Sequence, residues 1–319
     1  MSVVIGFDSG WAQLPGGAQL GDVPGVEVDA SDRVYAFTRG EAPVVVFDRS
    51  GGVLHRWDRG PFVDPHGIRV APDGSLWLTD DGDHTIRRCS LEGDVLQTIG
   101  TPGEPAPFMS GRPFNKPNNI AFGPGGDIFV VDGYGNAHVH RLTPDGQLIG
   151  TWGGSGSDPG QFYIPHDIRC DADGFVYVAD RENHRIQVFD GDGRVEAVWS
   201  GLHRPAGLAL AGEGDARRVY VAELGPMYRN QVPFAPNLGA RVSVLGADGR
   251  ALARHGAPDV GTGRDQFIAP HGIAVDSHGD VYVGEVASGQ WPVFFSEPAP
   301  TSLTTLRKLT SLSVQREAD

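Results

Sequence analysis

Apolar and polar residues alternate along this chain in short runs, and each run stops at a glycine or an Asp-Gly turn. One frame recurs: a proline, two residues, an apolar run, a Gly turn, a second apolar run and a carboxylate. It reads Pro65-HGIRVAPDGSLWLTD-Asp81, Pro117-NNIAFGPGGDIFVVD-Gly133 and Pro165-HDIRCDADGFVYVAD-Arg181. Weaker copies are Pro24-GVEVDASDRVYAFT-Arg39, Pro205-AGLALAGEGDARRVYVAE-Leu224 and Pro270-HGIAVDSHGDVYVGE-Val286. Third runs such as Arg185-IQVFD-Gly191 and fourth runs such as Gln147-LIGTW-Gly153 complete each unit. Period-2 alternation, Val, Ile, Tyr and Phe enrichment and Asp-Gly punctuation predict strands joined by hairpins. No stretch of length reads as an amphipathic helix. Six units of roughly 40 to 65 residues, each four-stranded, predict an all-β fold, a six-bladed β-propeller occupying residues 1–319 as a single domain. The segment Val3-VIG-Phe7 is expected to close the ring as the outer strand of the last blade.

Loop length then separates two faces. The 1–2 turns (Pro72-Asp73-Gly74) and 3–4 turns (Pro144-Asp145-Gly146, Gly191-Asp192-Gly193) are short. The long irregular segments, 101–116, 153–164, 225–239, 257–269 and 287–302, all fall on the opposite face, where functional loops are expected to gather. Three Pro-His-x-Ile segments enter from that face, and their histidines His66, His166 and His271 are 100 and 105 residues apart, on alternate units. Arg39, Tyr134, Arg181, Glu223 and Glu285 end second strands at the same mouth.

Three histidines converging from alternate units form a tripod suited to Zn²⁺ or another divalent metal, with a fourth position open for chemistry. Tyr134, between the glycines of Asp132-Gly133-Tyr134-Gly135, is the candidate general base, its phenol expected to acidify near a cation. Arg39 and Arg181 are candidates for clamping a carboxylate. Plainer roles stand beside these. Arg181 is placed to pair with Glu182, and Tyr134 to pack. His138 and His140 read as solvent-facing, and His84 and His184 as turn residues. Asp80, Asp132 and Asp180 recur where a carboxylate bonds loop amides. Glu223 and Glu285 replace them and are candidates for supporting the metal ligands.

Composition narrows the class. The net charge of −14 argues against nucleic-acid binding. No apolar run approaches a membrane span, and the N-terminus shows no signal peptide. Two cysteines, Cys89 and Cys170, suggest reduced thiols and a cytoplasmic location. Nothing in the sequence sets the oligomeric state.

The frame Asp180-RENHRI-Gln187 resembles an NHL repeat, and the chain more closely resembles the peptidyl-α-hydroxyglycine α-amidating lyase family. The matching stretches are Leu76-WLTD-Asp81, Phe129-VVDGYGN-Ala137, Gly160-QFYIPHD-Ile168, Val178-ADREN-His184 and Pro270-HGIAVDSHGDVYVGE-Val286, in family order across residues 24–286. The resemblance implies a six-bladed propeller, zinc on His66, His166 and His271, a catalytic Tyr134 and functional Arg39 and Arg181. The family's Met-Pro-His-Asp is Ala269-Pro270-His271-Gly272 here, which leaves its structural calcium doubtful, although Ile68 retains a carbonyl at the family's calcium position. The family's disulfides and its partner monooxygenase domain are not matched in this sequence. The implied function is zinc-dependent cleavage of a C–N or C–O bond at a hydroxylated carbon of a small molecule or short peptide. The alternatives are a zinc-dependent hydrolase or hydratase acting on an ester, lactone or amide, and a non-catalytic NHL scaffold for a peptide or protein.

Overall fold

In the computed structural model, which describes residues 4–8, 10–234 and 238–312, the alternating runs fold into six four-stranded antiparallel sheets. Blade 1 comprises Gly25–Val28, Val34–Phe37, Val44–Phe47 and Val53–Arg56; blade 2 comprises Pro65–Val70, Leu76–Asp80, Thr85–Cys89 and Val95–Ile99. Blade 3 comprises Asn119–Phe122, Ile128–Asp132, His138–Leu142 and Leu148–Gly153; blade 4 comprises Pro165–Cys170, Val176–Asp180, Arg185–Phe189 and Val195–Trp199. Blade 5 comprises Pro205–Ala211, Arg218–Glu223, Arg241–Leu245 and Ala251–His255. Blade 6 begins with Pro270–Val275, Val281–Glu285 and Leu306–Leu312, and its outer strand is Val4–Asp8 from the other end of the chain. Val4 lies opposite Leu312 and Asp8 opposite Lys308. First strands pack on first strands from blade to blade, and blade 6 returns to blade 1. The six-bladed propeller read from the sequence is therefore the observed architecture.

The core is divided into wedges, because each sheet must bury both faces against its neighbours while the centre of the ring stays a channel. Between blades 3 and 4, Val131, Val139, Phe162, Ile168, Val178 and Phe189 interlock. Between blades 6 and 1, Val26, Phe47, Ala274 and Tyr282 pack around Trp11. The inner three strands are almost wholly buried, and the outermost strands alternate between exposed and half-buried residues.

One element departs from the all-strand reading. Ala287–Phe294 is an eight-residue helix containing Pro292. Its local sequence offers no cap; instead Asp22, from the segment leading into blade 1, accepts from Ser288 N at 2.8 Å, Ser288 Oγ at 2.6 Å and Gly289 N at 3.0 Å. Trp291 on this helix packs with Ala206, Ile268 and Ala269 over blades 5 and 6. Cys89 and Cys170 are both free. No helix among the described residues is long and apolar enough to cross a membrane.

Deleting residues 1–12 removes the outer strand of blade 6 together with Trp11, whose indole N–H donates to the Arg49 carbonyl at 2.9 Å. Losing a buried tryptophan alone costs about 3–5 kcal/mol. The truncated chain is expected to melt at a clearly lower temperature, and an unchanged melting temperature would refute this account of closure.

Candidate active site

The first strands of blades 2, 4 and 6 each carry a β-bulge at the histidine. Pro65 pairs with Asp80 and Gly67 with Thr79, so His66 is skipped in the ladder. The same shift skips His166 between Pro165 and Asp167, and His271 between Pro270 and Gly272. A bulge turns the extra residue out of the pleat, and here it accompanies three imidazoles that meet at the channel axis. Their ring centroids are 4.8, 4.8 and 4.5 Å apart, and one ring nitrogen from each lies within 4.8 Å of the others.

Backbone carbonyls of the intervening blades orient the rings. His66 Nδ1 lies 2.8 Å from the Asn118 carbonyl, His166 Nδ1 2.7 Å from Ala206 O, and His271 Nδ1 2.7 Å from Pro24 O. A carbonyl only accepts, so each Nδ1 carries the hydrogen and each neutral ring presents its Nε2 lone pair inward. Burial pushes all three histidines down, His66 and His166 well below the ordinary value and His271 to about 3; nearby arginines add to the shift in each, and neighbouring imidazoles add to it at His66 and His166. Three buried, neutral nitrogen donors of fixed tautomer fit a divalent metal such as zinc.

Tyr134 reaches the same point. Its phenol oxygen is 3.1 Å from His66 Nε2 and 2.9 Å from His166 Nε2. Gly133 makes this approach possible, since a Cβ there would stand 1.7 Å from the Pro165 carbonyl oxygen. Arg181 donates from Nη1 to the phenol oxygen at 3.3 Å, lies over the ring at 5.4 Å, and donates from Nε to Glu182 at 2.7 Å. The pairing of Arg181 with Glu182 is thus present, and the same guanidinium also reaches the Tyr134 phenol. Arg39 sits at the rim, its Nε 2.6 Å from Asp64 Oδ1 and 3.1 Å from the Pro65 carbonyl. In the protein alone, burial raises the Tyr134 phenol, while Arg181 and Arg39 pull it back. The acidification expected near a cation would add to the pull of these two guanidiniums.

Several residues stand elsewhere than the sequence suggested. Glu223 accepts from His203 N at 2.6 Å and from Arg241 at 3.0 and 2.9 Å; Glu285 accepts from Ile268 N at 2.7 Å, Ala269 N at 3.1 Å and Arg307 at 2.7 Å. Both hold the loop entering their own blade, as Asp80 and Asp180 do, so the expected support of the metal ligands is corrected to loop anchoring. His140 is buried rather than solvent-facing, bonded to Thr151 at 2.9 Å and Asp132 at 3.2 Å.

Below the tripod the residues do not fit calcium. The Ile68 carbonyl accepts from Arg69 Nη1 at 2.9 Å, and Arg69 also takes the carbonyls of Ile120 and Ile168. Arg169 takes those of Leu208 and Ile273. Asp167 and Glu27 balance the two guanidiniums at 2.6 and 2.7 Å. Gly272 leaves no room for an aspartate, because a Cβ there would meet Pro24 O at 2.7 Å. Two arginine side chains therefore occupy the carbonyl-lined tier of the channel.

Asp81 belongs to no chemical motif in the sequence, yet it holds the frame position of Arg39 and Arg181, directly after the recurring anchor residue. It is 4 % exposed, its backbone N–H donates to Asp64 O at 3.2 Å, and its charge is felt at Tyr134. Beside Glu182 a cavity of about 700 Å³ opens among Tyr163, Leu202, His203, Tyr228 and Phe234.

The NHL repeat family matches residues 162–189. The chain is 33 % identical over 306 residues to NHL repeat-containing protein 3 of Homo sapiens, covering 90 % of this chain and 83 % of that one. It is 31 % identical over 257 residues to peptidyl-alpha-hydroxyglycine alpha-amidating lyase 1 of Drosophila melanogaster, covering 74 % of this chain and 45 % of that one. Among solved structures, a streptogramin B lyase superposes with a TM-score of 0.63 at 14 % identity over 98 % of this chain and 99 % of that one, which shows the shared fold alone. With four-stranded repeats closed into one ring and a relative one-third identical along nearly its whole length, this chain belongs to the NHL-repeat family that includes NHL repeat-containing protein 3.

Proposed function

We propose that this protein is a metal-dependent lyase of the amidating-lyase type, cleaving the C–N or C–O bond at a hydroxylated carbon of a small molecule or short peptide. The observation that carries the reading is the Tyr134 phenol oxygen within 3.1 Å of two histidine Nε2 atoms and 3.3 Å of a guanidinium. Kinship with an amidating lyase supports it. A divalent cation on His66, His166 and His271, zinc by preference, would supply Lewis acidity to a substrate oxygen.

The chain's own residues do the rest. Arg181, anchored by Glu182, favours the phenolate of Tyr134, whose oxygen takes the proton of the substrate hydroxyl. The O–H electron pair becomes the second bond of the carbonyl, and the C–N or C–O pair departs with the leaving atom. Arg39 and Arg181 flank the mouth and bind a substrate carboxylate or the negative charge that develops. The aromatic cavity beside Glu182 gives an acyl or peptidyl group an apolar wall.

Metal-loaded protein with N-benzoyl-α-hydroxyglycine in ¹⁸O-labelled water tests this. Benzamide and glyoxylate should form in equal amounts, above the spontaneous rate. With carbonyl exchange controlled, newly formed glyoxylate should carry no label, because the aldehyde oxygen comes from the substrate hydroxyl. Label entering during bond cleavage would point to attack by water, as in a hydrolase. No acceleration over background, for this compound or for other N-acyl-α-hydroxyglycines, would remove the lyase reading.

A further inference from the structure

We infer that Asp81 is the acid that protonates the departing nitrogen, a role that rests on the lyase reading above. Three observations converge. The first is position. Asp81 follows the second strand of blade 2 in the frame place that gives Arg39 in blade 1 and Arg181 in blade 4, so it stands at the mouth between Arg39 and Tyr134.

The second is that the structural work of this corner is already done. Asp80, the adjacent residue, accepts from Val63 N at 2.6 Å, Asp64 N at 2.9 Å and Gly82 N at 3.0 Å, which anchors the loop entering blade 2. The third is an unmet bonding capacity. Asp81 is 4 % exposed, and its Oδ1 has no hydrogen-bond partner among the described residues. Buried polar atoms without partners cost about 1–3 kcal/mol, and those retained in a functional cleft are candidates for work on a ligand.

The groups around Asp81 keep a proton on it. Burial and the Asp64 carboxylate, which repels its charge and accepts a hydrogen bond from its protonated form, push it up to about 7, against the opposing pull of Arg39 and Lys116, so a large share is protonated near neutrality. Tyr134 and Asp81 then form a base and an acid set apart by their surroundings. Tyr134 Oη takes the hydroxyl proton as the carbonyl forms. The C–N bond breaks with its electron pair on nitrogen, and the Asp81 proton joins that nitrogen to give a neutral amide. The tyrosine proton returns to the Asp81 carboxylate through solvent, which restores both groups.

Acid catalysis matters most for poor leaving groups, and that is the readout. Kinetics of metal-loaded wild type, Asp81→Asn and Asp81→Glu would be compared on N-(4-methoxybenzoyl)- and N-(trifluoroacetyl)-α-hydroxyglycine, with metal content measured for each protein. Asp81→Asn should lose about 10²–10⁴-fold in kcat on the first substrate and far less on the second, with metal retained. Asp81→Glu, still an acid, should recover part of the loss. Equal losses on both substrates, or no loss, would overturn the role of Asp81 while leaving the lyase reading intact. Failure of wild type on both substrates would instead overturn the lyase reading, and this role with it.

Discussion

Replacing His166 by Ala is expected to empty the protein of metal. Wild type should carry about one divalent ion per chain, and the variant a small fraction of that, with activity falling to background. The three donors come from three separate blades, and the two imidazoles left behind cannot enclose a cation that needs at least three protein ligands. The fold should survive, because the substitution removes two hydrogen bonds, to the Ala206 carbonyl and to the Tyr134 phenol, each worth about 0.5–1.5 kcal/mol, and no wedge of the core. Elemental mass spectrometry on untagged wild type and variant, with a melting curve for each, reads both outcomes. His138→Ala, altered on the third strand of blade 3, serves as a control that keeps its metal. A fully loaded His166→Ala protein would show that the tripod is not the metal site. A wild type that takes up no metal on reconstitution, with its fold intact, would move the protein to the non-catalytic scaffold class.

Tyr134→Phe separates chemistry from binding. The phenol oxygen stands about 3 Å from two histidine nitrogens, yet it is not one of the three nitrogen donors. Deleting it should leave metal content unchanged and lower kcat by about 10²–10⁴-fold, the range for losing a general base. KM should change little, since Arg39 and Arg181 remain to hold the substrate. Removing the hydroxyl also deprives Arg181 Nη1 of its partner at 3.3 Å, a loss expected to appear as a modest fall in stability. Full activity in Tyr134→Phe would eliminate the phenol as the base. Loss of metal together with activity would reassign it to the metal site.

Much of this is legible in the sequence, and the reason is repetition. Each unit buries its apolar faces only against a neighbour, so the pattern must recur, and six recurrences place equivalent residues at equivalent points of a ring. That argument brings His66, His166 and His271 to one axis and puts Arg39, Tyr134 and Arg181 around it, as the structure places them. It failed where the partner is distant in sequence. The helix Ala287–Phe294 is capped by Asp22, 266 residues away, so its own sequence carries no start signal. His140 alternates with Val139 as a solvent-facing residue would, but the loop carrying Phe114 covers it and Asp132 and Thr151 bond it. Glu223 and Glu285 were read by their frame position near the mouth, whereas the amides they accept from belong to the loops beneath.

The amino-acid sequence by itself determined the strand periodicity, the number of blades and the convergence of His66, His166, His271 and Tyr134, because these follow from local alternation and repeat spacing. Only the tertiary structure decided how those residues act. The bulges beside each proline accompany the turn of the histidines toward the axis, and carbonyls of Asn118, Ala206 and Pro24 from other blades fix which nitrogen points there. Arg69 and Arg169 fill the channel below, and Asp81 stays buried with one oxygen unmatched. Each of these depends on groups brought together by ring closure, whose positions no local pattern encodes.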